Sequence, residues 1–445
     1  MLPTTAFKIP KGQGFMLTYT DYDPVAGLAP GEVAILFLSR GPGLPIIPDC
    51  PVPAALPVET GLAGTGFGKA FHITTDTPVV AYQMLPFGGG ASAMTSASLL
   101  LPTGVWGTNY LAANAYKAFD QGQPSLSILA KEDNTEVSIL PKVPIMGGGG
   151  VPAGGPNASL TVQLQRGQYV QFTQNEELSG SPVQSNKPVA MFGASSCMNV
   201  PVNETACDTG HQQIPPIWAL GNAYVGANHR DRTAAVEMEP WRIMGAVTGT
   251  NLTWVPAPPP GAPSGLEPGQ MIEFAANAPF FVKSQDANHP FYLASYMSGG
   301  EKYNGTGDPE WVNAIPTDQY LNQYVLFTDP TYSETSLVVT RKRGDNGQFA
   351  DVNLDCAGVL TGWKAVGDFE TTFVNLVTGQ FANVGNCSNG RHEIHSDAPF
   401  GVTVWGWGTI PGFPGSKLYT QYVSYAYPAG AGVKPINTVE IPVPK

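Results

Sequence analysis

Two cysteines and a histidine stand close together in the sequence and could bind a metal ion. Cys197, Cys207 and His211 offer two thiolates and an imidazole, which are ligands that zinc accepts. Their spacing does not match a compact two-cysteine knuckle, and a tetrahedral zinc site needs a fourth ligand. We therefore predict no metal here and interpret Cys197 and Cys207 as a disulfide that closes the loop between them.

The sequence contains five cysteines, and proximity suggests two pairs: Cys197 with Cys207, and Cys356 with Cys387. Closing loops of these lengths would stabilise the fold by about 3 kcal/mol each. The odd cysteine, Cys50, is then expected to have its partner outside this sequence. The alternative is a cytosolic protein with five reduced, buried thiols. The low charge and the high glycine and proline content favour disulfides and an extracellular setting.

Sequence signatures of the common enzyme classes are missing. The glycine-rich residues 61–69 (GLAGTGFGK) lack the spacing of a phosphate loop and of a dinucleotide fingerprint, and they precede a predicted strand instead of a helix. The sequence has no Gly-x-Ser-x-Gly elbow and no His-Glu-x-x-His helix. We therefore predict no catalytic residue, no cofactor and no metal, and a protein that is not an enzyme.

Two short features could contact a ligand. Arg343-Gly344-Asp345 is the tripeptide that integrins read, and it falls at a predicted hairpin tip, although any charged turn contains such residues. Trp405 and Trp407 alternate along a predicted strand, so their rings share one face. Exposed aromatic rings in a row can stack on sugars or peptides, whereas core packing is the commoner fate of such strands. Further tyrosines follow this pair: Tyr419, Tyr422, Tyr425 and Tyr427.

The composition predicts the kind of elements that must position these residues. The 445 residues include 52 glycines and 42 prolines, and 13% of them are charged. Glycine and proline both disfavour helices, while 42% hydrophobic residues suffice for packed cores. This composition indicates a folded all-β protein. At this length, several modules are expected instead of one core.

Charge and hydropathy exclude several partners. A net charge of −12 with 22 basic residues argues against binding a nucleic-acid backbone or an anionic membrane surface. No apolar run approaches the roughly 20 residues of a transmembrane helix. The start, MLPTTAFKIPKGQGF, has no signal-peptide pattern. Together with the cysteines, this favours an extracellular or cell-surface protein whose start has been trimmed.

Three sequence anchors recur in the same order along the chain. The first is a Leu/Ile-Pro step followed by a tyrosine, at Leu101-Pro102…Tyr110, Ile214-Pro215…Tyr224 and Ile315-Pro316…Tyr324. The second is Gly-Gln before apolar residues, at Gly167-Gln168, Gly269-Gln270 and Gly379-Gln380. The third is a polar turn, then proline and an apolar strand, at Pro78-Val79, Pro188-Val189, Pro279-Phe280 and Pro399-Phe400. An ordered triple of this kind indicates an internal structural repeat.

The repeat spacing predicts tandem β-sandwich-like modules of about 100 residues each. We place an incomplete N-terminal β module at 1–97, three fuller modules at 98–210, 211–312 and 313–428, and an extended linker or tail at 429–445. The spacing is too long for a propeller blade of about 40–50 residues, and a β-propeller-like closed repeat is kept as the alternative. Within a module, residues 125–130 and 136–140 alternate around Asp133-Asn134 and predict a hairpin.

Several longer sequence segments resemble those of a known family. They are PVVAYQMLP, SASLLLPTGVWGTNYLAANAY, AKEDNTEVSILP, LQRGQYVQF, LSGSPVQSNKPVAMFG and CMNVPVNETACDTGHQQIPP. In this order they resemble the N-terminal domain of the IgG-Fc-binding protein family, including its bacterial surface or secreted members. The resemblance covers about Phe71 to Ala227. It implies an extracellular, non-enzymatic module of adhesive or matrix proteins, and it carries over no catalytic residue and no claim of antibody binding.

We therefore expect a non-catalytic extracellular or cell-surface binding or adhesion module within a longer secreted protein. Its partner would be an unknown protein or glycan at a cell surface or in a matrix, contacted by loops and strand edges. One alternative is a polysaccharide-acting enzyme with its site between modules. Another is a self-assembling structural subunit.

Overall fold

The computed structural model describes residues 2–40, 50, 52–92, 94–117, 122–409 and 421–444. Its regular structure consists of β-strands and short 3-10 helices of three or four residues, so the prediction of an all-β fold is confirmed. Across the described ranges, no helix is long and apolar enough to cross a membrane.

The N-terminal segment (residues 2–100) contributes short strands to three different places. The first three strands form a small sheet of order β2-β1-β3, β4 joins the edge of the next unit by pairing with β11, and β5 pairs with β6. Their bounds are β1 Phe7–Lys11, β2 Thr18–Asp21, β3 Ile35–Leu36, β4 Gly66–Lys69, β5 Ala81–Leu85 and β6 Ser96–Leu100.

The first unit folds from seven further strands into two sheets that share one strand. One sheet has the order β10-β9-β12-β7, and the other has the order β4-β11-β8-β12-β13. The strands are β7 Gly107–Leu111, β8 Pro124–Ala130, β9 Thr135–Ile139, β10 Leu160–Leu164, β11 Gln168–Thr173, β12 Pro182–Met198 and β13 Asp208–Ile214. Leu126 and Ile128 of β8 are fully buried, as the alternation of that stretch requires.

The second unit repeats this plan with sheets of order β14-β19-β16-β17 and β18-β15-β20-β21. Its strands are β14 Ala223–Gly226, β15 Glu239–Gly245, β16 Thr250–Val255, β17 Gly265–Leu266, β18 Met271–Ala276, β19 Phe280–Ser284, β20 Phe291–Met297 and β21 Glu310–Asn313. The strand that is continuous in the first unit is here divided into β19 and β20. Each sandwich-like unit therefore uses the same strand order.

The third unit again joins its two sheets through one long strand, β29, which pairs with β22 and β24 in its first half and with β23 and β30 in its second half. Its strands are β22 Leu321–Thr328, β23 Glu334–Lys342, β24 Val352–Leu354, β25 Gly358–Val359, β26 Lys364–Val366, β27 Phe369–Thr378, β28 Ala382–Asn383, β29 Gly390–Trp407 and β30 Ser424–Pro428. The described sheets form no closed propeller, so that alternative is wrong.

The predicted hairpin around Asp133-Asn134 is wrong, although the turn itself exists. Asn134 has a φ of 56°, a left-handed conformation that asparagine tolerates. However, β8 pairs with β11 and β12, whereas β9 pairs with β10 and β12. The turn therefore carries the chain from one sheet to the other, because β12 occupies the position between the two strands.

The anchor tyrosines hold the two sheets of each unit together. The hydroxyl groups of Tyr110, Tyr224 and Tyr324 accept a hydrogen bond from a nearby backbone N–H, at 2.9, 2.9 and 3.0 Å. Each hydroxyl also donates to the backbone carbonyl of a residue that directly follows a proline. These acceptors are Val189 at 2.6 Å, Phe291 at 2.7 Å and Phe400 at 2.5 Å.

These bonds correct one copy of the third anchor. Pro188 and Pro399 precede the carbonyls bonded by Tyr110 and Tyr324, but in the second unit the bonded residue is Phe291 and its proline is Pro290. The copy assigned to Pro279-Phe280 is therefore wrong. Pro279 immediately precedes β19, which corresponds to the first half of β12, and a loop separates β19 from β20.

The last strands of the repeats meet in the middle of the molecule. Strand β6 contacts β13, β13 contacts β21, β21 contacts β30, and β30 contacts β6. We call these four strands the central junction. The side-chain amide of Gln212 donates to Ala97 O and Trp311 O at 2.7 Å each, which ties three of the strands together. The sequence boundaries at 210/211 and 312/313 fall inside β13 and β21.

Residues 429–444 lie extended along the units. The side-chain amide of Gln319, in the third unit, bonds both the backbone N–H and the backbone C=O of Lys434. Asn437 donates to Ile217 O of the second unit. The side-chain amide of Asn109, in the first unit, bonds both backbone groups of Ile441. The described part of the segment after Ala429 has no regular secondary structure, and it crosses the three units in reverse order.

Candidate binding cleft

A cleft of ≈ 5240 Å³ opens between the N-terminal segment, the outer face of the first unit and the start of the third unit. It is bordered by residues of β5, β8, β11 and β22 and by residues 71–80. Pockets of about 300–1,000 Å³ hold drug-sized ligands. An opening of this size instead suits a macromolecular segment.

One wall of the cleft is an exposed segment that carries several large apolar side chains among polar ones. All of residues 71–80 are exposed, and four of the side chains are large and apolar: Phe71 is 37% exposed, Ile73 52%, Val79 60% and Val80 39%. These residues lead directly into β5. Contiguous exposed apolar surface marks interaction sites more often than scattered single residues do.

Strand β5 has a neighbour on one side only within the described ranges. It pairs with β6, as the second half of β12 pairs with β13. The second half of β12 also pairs with β8 on its other edge, and in the other units β20 pairs with β15 and β29 pairs with β23. No described strand occupies the corresponding edge of β5, which lines the cleft.

The opposite wall is the outer face of the first unit, and it carries His211. The imidazole of His211 stacks on the ring of Phe192, with centroids 5.0 Å apart and planes at 18°. Burial lowers the pKa of His211 to about 4, so the ring is neutral at pH 7. It therefore adds a flat, uncharged surface to the cleft, and the nearby Cys197 and Cys207 are joined to each other in a disulfide bond.

Trp405 and Trp407 do not present their rings to solvent, since each is 1% exposed. They pack between the second and third units. The Trp405 ring lies 5.0 Å from that of His229, and the guanidinium of Arg230 lies 5.0 Å over Trp407. Of the tyrosines that follow, Tyr425 and Tyr427 are also buried, Tyr422 is 37% exposed, and Tyr419 lies outside the described residues.

A buried charged network beside these tryptophans was not foreseen from the sequence. Nε2 of His229 lies 3.8 Å from Glu237 and 3.6 Å from Glu239, and Arg232 pairs with Glu237 at 2.5 Å. Burial raises the pKa of Glu239 to about 7. Burial also opposes ionisation of Glu237, but His229 and Arg232 together hold its pKa below the ordinary value. The network is enclosed and does not line the cleft, so its groups serve the contact between units.

Arg343, Gly344 and Asp345 are all exposed in a tight turn at the end of β23. The backbone N–H of Gly344 donates to Gln348 O at 2.8 Å, and the guanidinium of Arg343 donates to Gly347 O at 3.0 Å while lying 4.5 Å over the Phe349 ring. The tripeptide is thus presented to solvent, but its arginine side chain folds back onto its own turn.

Disulfide bonds join Cys197 to Cys207 and Cys356 to Cys387. Asp355, Cys356 and His392 also lie within metal-binding distance of one another. The sulfur of Cys356 is engaged in its disulfide, and His392 instead bonds Asp355 at 2.9 Å and Ser388 O at 2.7 Å. These residues do not fit a metal site, because no thiolate remains for the ion.

The central junction holds carboxyl groups that sequence reasoning did not single out. Glu310 is fully buried and accepts hydrogen bonds from Ser96 Oγ, Trp311 N and Ala426 N at 3.1, 2.7 and 3.2 Å. Asp208 accepts from Thr95 Oγ1 at 2.9 Å. Burial raises the pKa of both groups well above the ordinary value. Both acids begin the final strand of a repeat, Asp208 in β13 and Glu310 in β21. This shared position is the sequence feature that could have identified them.

The fold and the cleft together define an all-β repeat protein with a macromolecule-sized opening. Residues 96–406 match the family described as IgGFc binding protein, so the chain belongs to this family. Human IgGFc-binding protein is 25% identical to it over 291 residues, which is 63% of this chain and 5% of the human protein. The chain thus corresponds to a small part of that relative.

Proposed function

We propose that the chain is a non-catalytic binding module that recognises a protein partner through the cleft beside β5. The observation that carries the proposal is the exposed segment 71–80, with its four large apolar side chains, leading into a strand that has a described neighbour on one edge only. Membership of the IgGFc-binding family supports a binding role. A protein is favoured over a glycan, because the paired tryptophans that could have stacked on sugars are 1% exposed.

The setting that we propose is extracellular or at a cell surface, within a longer secreted protein that takes part in adhesion. Two disulfide bonds support an oxidising compartment. The relative that matches this chain is about twenty times the aligned length, since the alignment covers 5% of it. We also retain the division into modules at 98–210, 211–312 and 313–428 as a proposal about evolutionary repeats.

Binding to an immobilised Fc fragment of IgG tests the proposal first, because the name of the human relative specifies this ligand. Fab fragments and a panel of extracellular matrix proteins complete the measurement, which is made by biolayer interferometry on the oxidised chain. We expect saturable binding to at least one protein, weakened at least tenfold by Val79→Asp combined with Val80→Asp.

Val236→Asp is the matched control, because Val236 is 65% exposed in the second unit and distant in sequence from the cleft. Its binding should equal that of the unchanged chain. Saturable binding to a glycan array with none to any protein, or turnover of a polysaccharide, would contradict the proposal.

A further inference from the structure

We infer that β5 accepts an extended strand from another polypeptide, which pairs with it in the position that β8, β15 and β23 occupy in the three complete units. This inference deepens the proposed function, because it rests on the same cleft and names how the partner is held. In this mode of recognition, main-chain hydrogen bonds supply affinity and alternate side chains supply specificity.

The repeated topology fixes where the added strand would lie. Strands β12, β20 and β29 each have two antiparallel neighbours, a final strand of the repeat on one edge and β8, β15 or β23 on the other. Strand β5 corresponds to them and has β6 as its final strand. Its second edge faces the cleft and has no described partner.

The position of β5 does not depend on the missing neighbour. The ring of Tyr82 stacks on that of Tyr427 at 4.2 Å, and its hydroxyl donates to Ala429 O at 2.7 Å. The loop after β5 is also attached, because Gly88 N donates to Asp329 at 2.8 Å. The third unit therefore holds β5 in place, so little ordering would be needed before a strand binds.

The edge also lacks the charged side chains that protect many open strands. Natural edges carry charged side chains, particularly lysine, which oppose pairing with other chains. Residues 77–85 (TPVVAYQML) contain no charged residue. Val79 and Val80 extend the apolar surface before β5, at 60% and 39% exposure. Such an edge is suited to pairing and would otherwise promote aggregation.

The strands in the equivalent position indicate the chemistry of the ligand. Each presents two buried apolar residues separated by one residue: Leu126 and Ile128, Trp241 and Ile243, Leu337 and Val339. We therefore infer an extended peptide of five or more residues with this alternation. A second copy of the chain is disfavoured, because two molecules of net charge −12 repel each other.

A synthetic peptide with the sequence of residues 122–131 (GQPSLSILAK) tests the inference on the full chain. Hydrogen exchange measured by mass spectrometry should show protection of residues 79–85 when the peptide is added. A control peptide with asparagine in place of both Leu126 and Ile128 should protect at least tenfold less at equal concentration. Equal protection by both peptides, or none by either, would overturn the inference.

Substitutions in the chain distinguish pairing at the edge of β5 from nonspecific hydrophobic binding. Val79→Lys combined with Val80→Lys should weaken peptide binding at least tenfold while leaving the melting temperature unchanged, because both side chains are exposed. Val236→Lys should bind as the unchanged chain does. Concentration-dependent protection of residues 79–85 without peptide, together with a dimer in sedimentation, would assign the edge to a second copy and overturn the inference.

The two proposals can fail separately. Peptide protection without binding to any tested protein would keep the strand acceptor and refute the partners tested above. Binding of a protein that depends on Val79 and Val80 but leaves the β5 amides unprotected would keep the proposed function and refute strand addition.

Discussion

Tyr110, Tyr224 and Tyr324 each connect the two sheets of one unit through a single hydroxyl group. The hydroxyl accepts one backbone hydrogen bond and donates another, and all three rings are at most 3% exposed. Buried backbone groups that lose such a partner stay desolvated and unpaired. The tyrosine therefore bridges the two sheets of each unit near the point where the chain passes from one sheet to the other.

We predict that Tyr224→Phe lowers the free energy of unfolding by about 1–3 kcal/mol, because Gly221 N–H and Phe291 C=O lose their partner at the hydroxyl. Denaturant unfolding followed by tryptophan fluorescence measures the change. Tyr422→Phe is the control, since Tyr422 is 37% exposed, and it should be close to neutral. Equal effects of the two substitutions would show that the bridge adds no stability.

The three tyrosines could be recognised from the sequence. Of the three prolines that precede their acceptor carbonyls, only two could be recognised in the same way. A Leu/Ile-Pro step followed by tyrosine repeats at nearly constant spacing, which is visible without a structure. The acceptor carbonyls follow Pro188, Pro290 and Pro399. In the second unit, Pro290 lies in the loop between β19 and β20 and not within a continuous strand. The short sequence pattern of the third anchor therefore matched Pro279 instead.

Between elements, the side chain of Arg242 joins the first and second units. It extends from β15 and is 3% exposed. Its guanidinium donates two hydrogen bonds of 2.9 Å to Glu177 and two to Glu273, at 3.0 and 2.5 Å, and lies 3.8 Å over the ring of Tyr116. A planar fork with several donors suits this geometry, which an ammonium group cannot reproduce.

We predict that Arg242→Met destabilises the chain by about 3 kcal/mol, at the lower end of the range for breaking a buried ion pair. The lower end is expected because Glu177 and Glu273 keep side-chain exposures of 16% and 50% and can be hydrated. Thermal and denaturant unfolding measure the loss. Arg166→Met, at an exposed position in the first unit, is the control and should change stability little. A neutral Arg242→Met would mean that packing alone joins the units.

The sequence predicted which residues form a strand and which of their side chains are buried, because both depend on the strand's own alternation. It did not predict which strands pair, because pairing depends on the neighbouring strand. The alternation of residues 125–130 correctly indicated a strand with Leu126 and Ile128 inside. The same alternation could not show that β9 lies in the other sheet, because periodicity fixes which side chains are buried and says nothing about the neighbouring strand. The length of β12, 17 residues, likewise depends on both sheets being present.

Over the whole molecule, the repeats share their hydrophobic cores and do not merely follow one another. The core of the first unit includes Tyr292, Tyr296 and Trp311 from the second, and the core of the third includes Ala97 from the N-terminal segment. The three anchors indicated that a structural plan recurs along the chain. The sequence could not show the central junction or the cleft, since both arise from how separate repeats are placed around one another.

Buried carboxyl groups at the contacts between units make the stability of the whole molecule depend on pH. Burial raises the pKa of Asp308 from its ordinary 3.8 to about 7, and that of Glu239 from 4.5 to about 7. Asp208 and Glu310 shift in the same direction. A raised pKa in the folded state means that the folded protein binds more protons than the unfolded chain, so the associated stability is present at low pH and is lost as pH rises through the folded pKa.

We therefore predict that the melting temperature falls as the pH rises from about 5 to about 7, because the pKa of both Asp308 and Glu239 in the folded protein is about 7. Glu237 acts in the other direction, but its pKa is lowered from 4.5, so its contribution is lost only in more acidic solution. Asp308→Asn keeps an acceptor for Gly300 N–H and should flatten the pH dependence. Asp318→Asn, at an exposed position, should leave it unchanged. Calorimetry across this pH range measures the melting temperature. A melting temperature that rises with pH would contradict the prediction, because it would show that these carboxyl groups are ionised in the folded protein.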